Sequence, residues 1–405
     1  MLKLATTAAL ALAWAAPARA QDLAARARRL HESAIVVDTH EDVPDQLSTK
    51  WADVAVTGAT DHFDIPRARA GGLTAPFFSI YVSAAHAEAG TAAGRAFELI
   101  DLTRRVVAEH PRDLVLAVSS ADIRRAKQDG KIAILMGLEG GHAIEDSLGA
   151  LRELYRAGVR YVTLTHGNTN HWADSSGPFW LPDFEPARYA VHHGLTAFGR
   201  DVVREMNRIG MIVDVSHVSD ETLADVLAVS AGPVMASHSS CRALSAIPRN
   251  LTDAQITAIA AKGGVVMINF DSEFLDGEIY EAETRSRAAH KAAYLELKKK
   301  YAGDAKGLEK AVDELGKQTP PRRAQWTKIV DHIDHVIRIA GPDAVGLGSD
   351  FDGIDATPTG MADVSMLPRL TEEMLRRGYS DEQVRKVLGE NFLAFFDRVQ
   401  AAAAR

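Results

Sequence analysis

The sequence predicts an α/β fold of the (β/α)8, or TIM-barrel, type, with a helical insertion between the seventh and eighth strands. Three observations lead there. Eight short apolar runs, many β-branched, alternate with stretches of helical spacing. Residue types that bind metals stand where several of these runs stop: His40 with Asp42, Glu139, His217, His238 and Asp350. Side chains at the carboxyl ends of barrel strands share one rim, where such residues can meet.

The candidate strands are residues 34–39, 76–82, 132–138, 159–165, 211–216, 233–237, 264–270 and 344–349. Between them, residues 93–109, 148–156, 195–209, 220–229 and 253–261 carry helical periodicity and helix formers. Asp220 and Thr252-Asp253 mark helix starts, and Gly158 and Gly210 mark stops. Two stretches break the alternation. Residues 168–193, with Trp172, Pro178, Trp180, Pro182 and the His192-His193 pair, read as a long loop after the fourth strand. Residues 271–325 are highly charged and helical in pattern, as in Glu296-Leu297-Lys298-Lys299-Lys300. Loops that follow barrel strands sit over the active site, so both are candidate lids or substrate walls. For the second, a solvated insertion serving packing or oligomer contacts is the alternative.

At 405 residues, 46% hydrophobic and 25% charged, the chain has the composition of a soluble globular enzyme. Residues 1–20 differ: Lys3, an apolar stretch from Leu4 to Ala16, Pro17, then Ala18-Arg19-Ala20 as a cleavage site. They read as a signal peptide, leaving residues 21–405 as a single exported barrel domain, periplasmic or secreted. An uncleaved anchor is the alternative, although the run is short for a membrane span. The net charge of −8, more negative once Lys3 and Arg19 are removed, argues against nucleic acid and anionic membrane surfaces as partners. One cysteine, Cys241, permits no intramolecular disulfide, so stability must come from packing and metal.

The first strand closes on Thr39-His40-Glu41-Asp42, and in an extended strand residues i and i+2 point the same way, which lets His40 and Asp42 grip one ion. Glu139, between Leu138 and Gly140-Gly141, offers two oxygens that can bridge two cations. His217 and His238 end consecutive strands, a spacing hard to explain as packing. This inventory fits two metals, one held by His40, Asp42 and Glu139 and the other by Glu139, His217 and His238, with a hydroxide bridging them as nucleophile. Mixed nitrogen and oxygen ligands suit two Zn2+ ions best, ahead of Mn2+ or Co2+. Asp350, in Gly348-Ser349-Asp350-Phe351-Asp352-Gly353, is assigned as general acid/base; the alternative makes it a ligand or helix cap and gives the work to Asp352. His166 can donate to the developing oxyanion or be a buried structural histidine. Arg249 can fork to a substrate carboxylate or be solvated.

The segments Val37 to Asp42, Gly137 to His142, Leu164-Thr165-His166, Val215 to Ser219, Ser237 to Ser240, Arg249-Asn250-Leu251 and Gly348 to Gly353 resemble the membrane (renal) dipeptidase family, along nearly the whole mature chain. The resemblance implies a binuclear zinc barrel that cleaves dipeptides, with His40, Asp42, Glu139, His217 and His238 as ligands and Glu139 bridging. It implies Asp350 as acid/base, His166 at the scissile carbonyl, Arg249 at the terminal carboxylate, and a homodimer. Mammalian relatives are disulfide-linked and lipid-anchored, whereas this chain has one cysteine and ends in an alanine tail, so no stable membrane anchor is expected. The 271–325 segment also looks longer than theirs.

The expected function is therefore an exported dipeptidase, including action on dipeptides with a carboxyl-terminal D-residue. The alternatives are a related metal-dependent hydrolase of N-acyl amino acids, lactones, β-lactams or phosphoesters, and a non-catalytic binding module on a degenerate barrel.

Overall fold

Among the described residues, nine parallel strands form where aliphatic and β-branched residues are buried: β1 (Val37–Glu41), β2 (Ala75–Tyr81), β3 (Leu114–Leu116), β4 (Ile132–Glu139), β5 (Val159–Thr163), β6 (Ile212–Asp214), β7 (Met235–Ala236), β8 (Val265–Ile268) and β9 (Val345–Leu347). The structure, a computed structural model, describes residues 22–316 and 320–403; the predicted signal peptide lies outside the described residues. Eight of the strands close on themselves in the order β1-β2-β4-β5-β6-β7-β8-β9, with β9 back on β1. This is the predicted (β/α)8 barrel.

The ninth strand, β3, corrects the sequence reading. It lies outside the barrel and pairs only with the first half of β4, Leu114 opposite Ile132 and Leu116 opposite Ile134, while β4 from Leu135 onward pairs with β2. Its three residues are too few for a periodic pattern; the unmatched start of β4 supplies their edge. Several barrel strands are also shorter than predicted: 233–237 shrinks to Met235–Ala236, 211–216 to Ile212–Asp214 and 344–349 to Val345–Leu347. The chain leaves the ladder early because the residues beyond must turn towards the rim. His217 and Asp350 both adopt left-handed backbone, with φ of 67° and 64°.

Helices fill the predicted intervals at Ala92–Glu109, Leu148–Arg156, Ala197–Ile209, Asp220–Val229 and Asp253–Ala261. Thr252 caps the last of these reciprocally with Gln255, and left-handed Gly210 stops the third. For Asp220–Val229 the cap is Ser219 rather than Asp220, its hydroxyl accepting from the Thr222 N–H. Between β8 and β9 stand helices Ser272–Leu275, Gly277–Lys300 and Ala305–Gly316, before the helix Thr327–Ala340 that packs on the barrel. Among the described residues no helix is long and apolar enough to cross a membrane.

The core has two layers. One lies between strands and surrounding helices; the other fills the barrel floor with Val37, Phe77, Leu135, Tyr161, Ile212, Met235 and Met267. The carboxyl-terminal helix, Asn391–Ala403, closes that floor with Phe392, Phe395 and Phe396. Opposite Tyr161 stands Gly137, where an added Cβ would fall 1.9–2.3 Å from atoms of the phenol ring. The missing side chain therefore makes room for Tyr161, whose hydroxyl meets His40 Nδ1 at 2.7 Å. Gly137→Ala is expected to overpack the barrel and lower unfolding free energy by about 1–3 kcal/mol, read as a shift in denaturant midpoint at unchanged slope.

Candidate metal centre and active site

Glu139, the last residue of β4 and 3% exposed, stands at the centre of the rim. Its Oε2 lies 3.3 Å from His40 Nε2, and its Oε1 lies 3.1 Å from His217 Nε2 and 3.4 Å from His238 Nε2. The two oxygens thus face two different groups of ligand-type atoms. His40 Nε2 also lies 3.5 Å from Asp42 Oδ2. Asp42 arrives by a route other than strand alternation: the β1 register shifts after Asp38, and Asp42 begins the turn into the helix Val43–Thr49.

Three overlapping groups could hold a metal ion: His40 with Glu139 and His238, Glu139 with His166 and His217, and His40 with Asp42 and Asp350. The five predicted ligands therefore converge, and His166 and Asp350 converge with them. Nε2 of His40 and of His238 are buried with no hydrogen-bond partner, although the Nδ1 atom of each ring is engaged. Burial holds His217 and His238 well below the usual imidazole range. Burial would raise Glu139, but His40 and the three imidazole contacts outweigh it and hold its carboxyl well below the usual range. Burial would lower His40 as well, but Tyr161, Glu139 and Asp42 outweigh it and hold its imidazole well above the usual range. Neutral His217 and His238 beside an ionised Glu139 carboxylate are forms that bind divalent cations, so the residues present fit a metal site.

Asp350 follows β9, with its backbone N–H donating to the His40 carbonyl. Burial, partly opposed by His40 and reinforced by Asp42 and Glu139, pushes its carboxyl well above the usual range. Asn269 donates to Asp350 Oδ2 at 2.8 Å. At Gly353 an added Cβ would lie 2.2 Å from Asp42 Oδ2 and 2.7 Å from Asp350 Oδ1, so only glycine lets this loop close over both acids. Asp352, weighed as a replacement for Asp350, is turned elsewhere: Thr60 donates to its Oδ2 at 2.6 Å and the His62 N–H to its Oδ1 at 2.7 Å.

His166 stands three residues beyond β5, its ring 4.4 Å from that of His217 and 4.8 Å from Tyr81. Burial lowers its pKa to about 4. Arg249, read as either a fork or a solvated arginine, is 3% exposed. It donates to Ser239 Oγ and the His238 carbonyl, both at 3.2 Å, packs its guanidinium over Phe274 and leaves Nε without a partner. Burial lowers its pKa only to about 10, so it remains a cation.

Asp42, Glu139, His166, His217, Arg249 and Asp350 line one cavity of about 520 Å3, with His40 and His238 behind them. Loop 168–193 contributes Phe179 and Trp180, and the 271–325 segment contributes Asp271, Glu273, Phe274, Glu283, Pro321 and Arg322. Both irregular stretches are therefore walls of the site. Tyr81, Asp45 and Asp271 also line it, and sequence reading missed them; Tyr81, the last residue of β2, and Asp271, three residues past β8, carried a positional signal, and Asp45 did not.

The profile of the membrane dipeptidase family (peptidase family M19) matches residues 24–405. The chain belongs to this family. Among solved structures, the probable dipeptidase PvdM from Pseudomonas aeruginosa is 26% identical, over 95% of this chain and 100% of that one, with a TM-score of 0.78. A metallopeptidase from Rhodobacter sphaeroides, liganded with a phosphinate mimic of the dipeptide L-Ala-D-Ala, is 28% identical over 91% and 100%, with a TM-score of 0.72. Dipeptidase AC, also a metallopeptidase, is 27% identical over 91% and 99%, with a TM-score of 0.73. Membership of this family makes the chain a metal-dependent hydrolase of the dipeptidase class.

If the site holds two ions and Glu139 serves both, as its two oxygens facing two groups allow, Glu139→Gln should lose both equivalents of metal, whereas His217→Ala should lose one preferentially. Metal content of the purified proteins after dialysis checks this; equal retention in Glu139→Gln would contradict it.

Proposed function

We propose that this member of the membrane dipeptidase family hydrolyses the peptide bond of dipeptides with a free carboxyl terminus, including those with a carboxyl-terminal D-residue. The observation that carries this reading is one cavity holding both the Glu139-centred cage and the buried, partly unpaired Arg249 cation. The mimic bound to the Rhodobacter relative, built on L-Ala-D-Ala, supports the dipeptide class and the D-residue.

His40, Asp42 and Glu139 would hold one ion, and Glu139, His217 and His238 the other; two Zn2+ suit this set best. Bound there, such a pair lowers the pKa of water and polarises a carbonyl oxygen. Arg249 receives the substrate's terminal carboxylate in a charge-assisted fork and so limits substrates to short ones. The neutral His166 imidazole donates a hydrogen bond to the scissile carbonyl oxygen as negative charge develops there. Asp350 takes the proton of the attacking water and delivers it to the leaving nitrogen. Its carboxyl, held high by burial, is suited to carry that proton, and Asn269 leaves Oδ1 as the oxygen free to do so. Export to the periplasm, directed by residues 1–20, is part of the same proposal, as is a homodimer.

Purified enzyme with zinc should turn over a panel of L,L and L,D dipeptides and spare their amidated counterparts; no turnover of any dipeptide would refute the reading. Arg249→Ala should raise KM for dipeptides by on the order of 100-fold, about 3 kcal/mol, with a far smaller effect on amidated analogues. Asp350→Asn should lower kcat by on the order of 100- to 10,000-fold with metal content retained, as measured by elemental analysis alongside kinetics.

A further inference from the structure

The wiring behind His238 fixes which of its ring nitrogens carries the proton. Asp214, the last residue of β6, is fully buried and accepts four hydrogen bonds. Its Oδ1 takes the backbone N–H groups of Ser216 at 3.1 Å and Ser237 at 2.8 Å. Its Oδ2 takes the hydroxyls of Thr163 at 2.5 Å and Ser237 at 2.6 Å. Ser237 Oγ then stands 2.7 Å from His238 Nδ1.

Burial pushes the Asp214 carboxyl up, but the four donors that converge on its two oxygens favour the ionised, acceptor-only form, which commits the Ser237 proton to Asp214. Ser237 Oγ can then meet His238 only as an acceptor, which places the ring proton on Nδ1 and a bare lone pair on Nε2. That Nε2 is buried, has no hydrogen-bond partner and faces Glu139 Oε1. The backbone N–H of His238 is held as well, by Ser216 Oγ at 3.0 Å. His217 differs, since its Nδ1 has no partner among the described residues.

We propose that Asp214 and Ser237 are positioning residues that hold His238 in its Nδ1–H tautomer and so present Nε2 as a cation ligand. The inference rests on the ligand set given under Proposed function. Neither residue touches the ion or the substrate; each acts through the imidazole, as outer partners of ligating histidines do. Asp214 also ties the ends of β5, β6 and β7 together, so one carboxylate serves both the barrel rim and the ligand behind it.

The test uses the full chain, metal-free and then titrated with Zn2+ alone in chelator-buffered solutions, with no substrate. Wild type is expected to take up two equivalents. Ser237→Ala removes the hydroxyl with little change in volume and should weaken one equivalent roughly 10- to 100-fold while leaving the other unchanged, alongside a modest fall in the melting temperature of the metal-free protein from the donor that buried Asp214 loses. Asp214→Asn should be worse for that equivalent. Its amide N–H2 would face the two hydroxyls, turn the Ser237 proton towards His238 and put the imidazole proton on Nε2; selectively 15N-labelled histidine spectra would read that reversal. If Asp214→Asn fails to fold, Ser237→Ala decides alone. Zinc binding by Ser237→Ala as tight as wild type overturns the proposal, as does equal weakening of both equivalents with a fall in the metal-free melting temperature. Failure of wild type to bind two equivalents would instead overturn the ligand reading itself.

Discussion

Everything at the rim answers to the burial of the Glu139 carboxylate. Taking an ionised carboxylate out of water costs several kcal/mol unless other groups replace its hydration. Here Ser79 donates to its Oε2 at 3.2 Å, and the imidazoles of His40, His217 and His238, carried on three different barrel strands or the turns after them, crowd round its two oxygens. Their approach requires β1, β6 and β7 to end at matching heights, which parallel closure of the sheet makes available. Asp42 and Asp350 crowd in beside the same centre, where burial pushes both carboxyls up. A cage of carboxyl oxygens and imidazoles, with two imidazole nitrogens unpartnered among the described residues, is incomplete as protein alone; metal binding completes it.

The backbone bends to serve that centre. Left-handed conformations are costly for residues other than glycine, yet His217, Asp350 and Asp352 adopt them at the rim. His217 follows β6, and Asp350 and Asp352 follow β9; each helps turn the chain beyond its ladder, where the apolar runs outlast the hydrogen-bonded strands. Gly353 and Gly137 work by absence of a side chain instead. One lets the loop after β9 close over Asp42 and Asp350, and the other admits the Tyr161 ring whose hydroxyl braces His40.

Above the rim, two segments of opposite character meet. Loop 168–193 brings Phe179 and Trp180, an aromatic wall, and is itself anchored by Asp174, which accepts the backbone N–H groups of Val191, His192 and Gly194. The 271–325 segment brings Glu273 and Glu283, each engaged with an arginine of that same segment, Arg287 and Arg322. Lys298 joins the segments through Asp183 at 2.9 Å. Joined in this way, they form a continuous rim to the cavity and take part in shaping the space beyond the ligands.

From sequence alone, the alternation of apolar runs with helical stretches was enough to determine the barrel, because strand and helix periodicity is local. The ligand-type residues were legible too, since each stands where a run stops. Strand β3 escaped because three residues show no period and its pairing depends on how far β4 extends past β2. Tertiary structure alone decided how the residues work together. It turned Asp352 onto Thr60 and His62 and Asp350 onto the site, and buried Arg249 against Phe274 rather than in solvent. It also linked Asp214 and Ser237, for which the sequence indicated no role, to the ligand candidate His238. Hydrogen-bond order and burial are properties of atoms brought together from distant positions, and no local pattern encodes them.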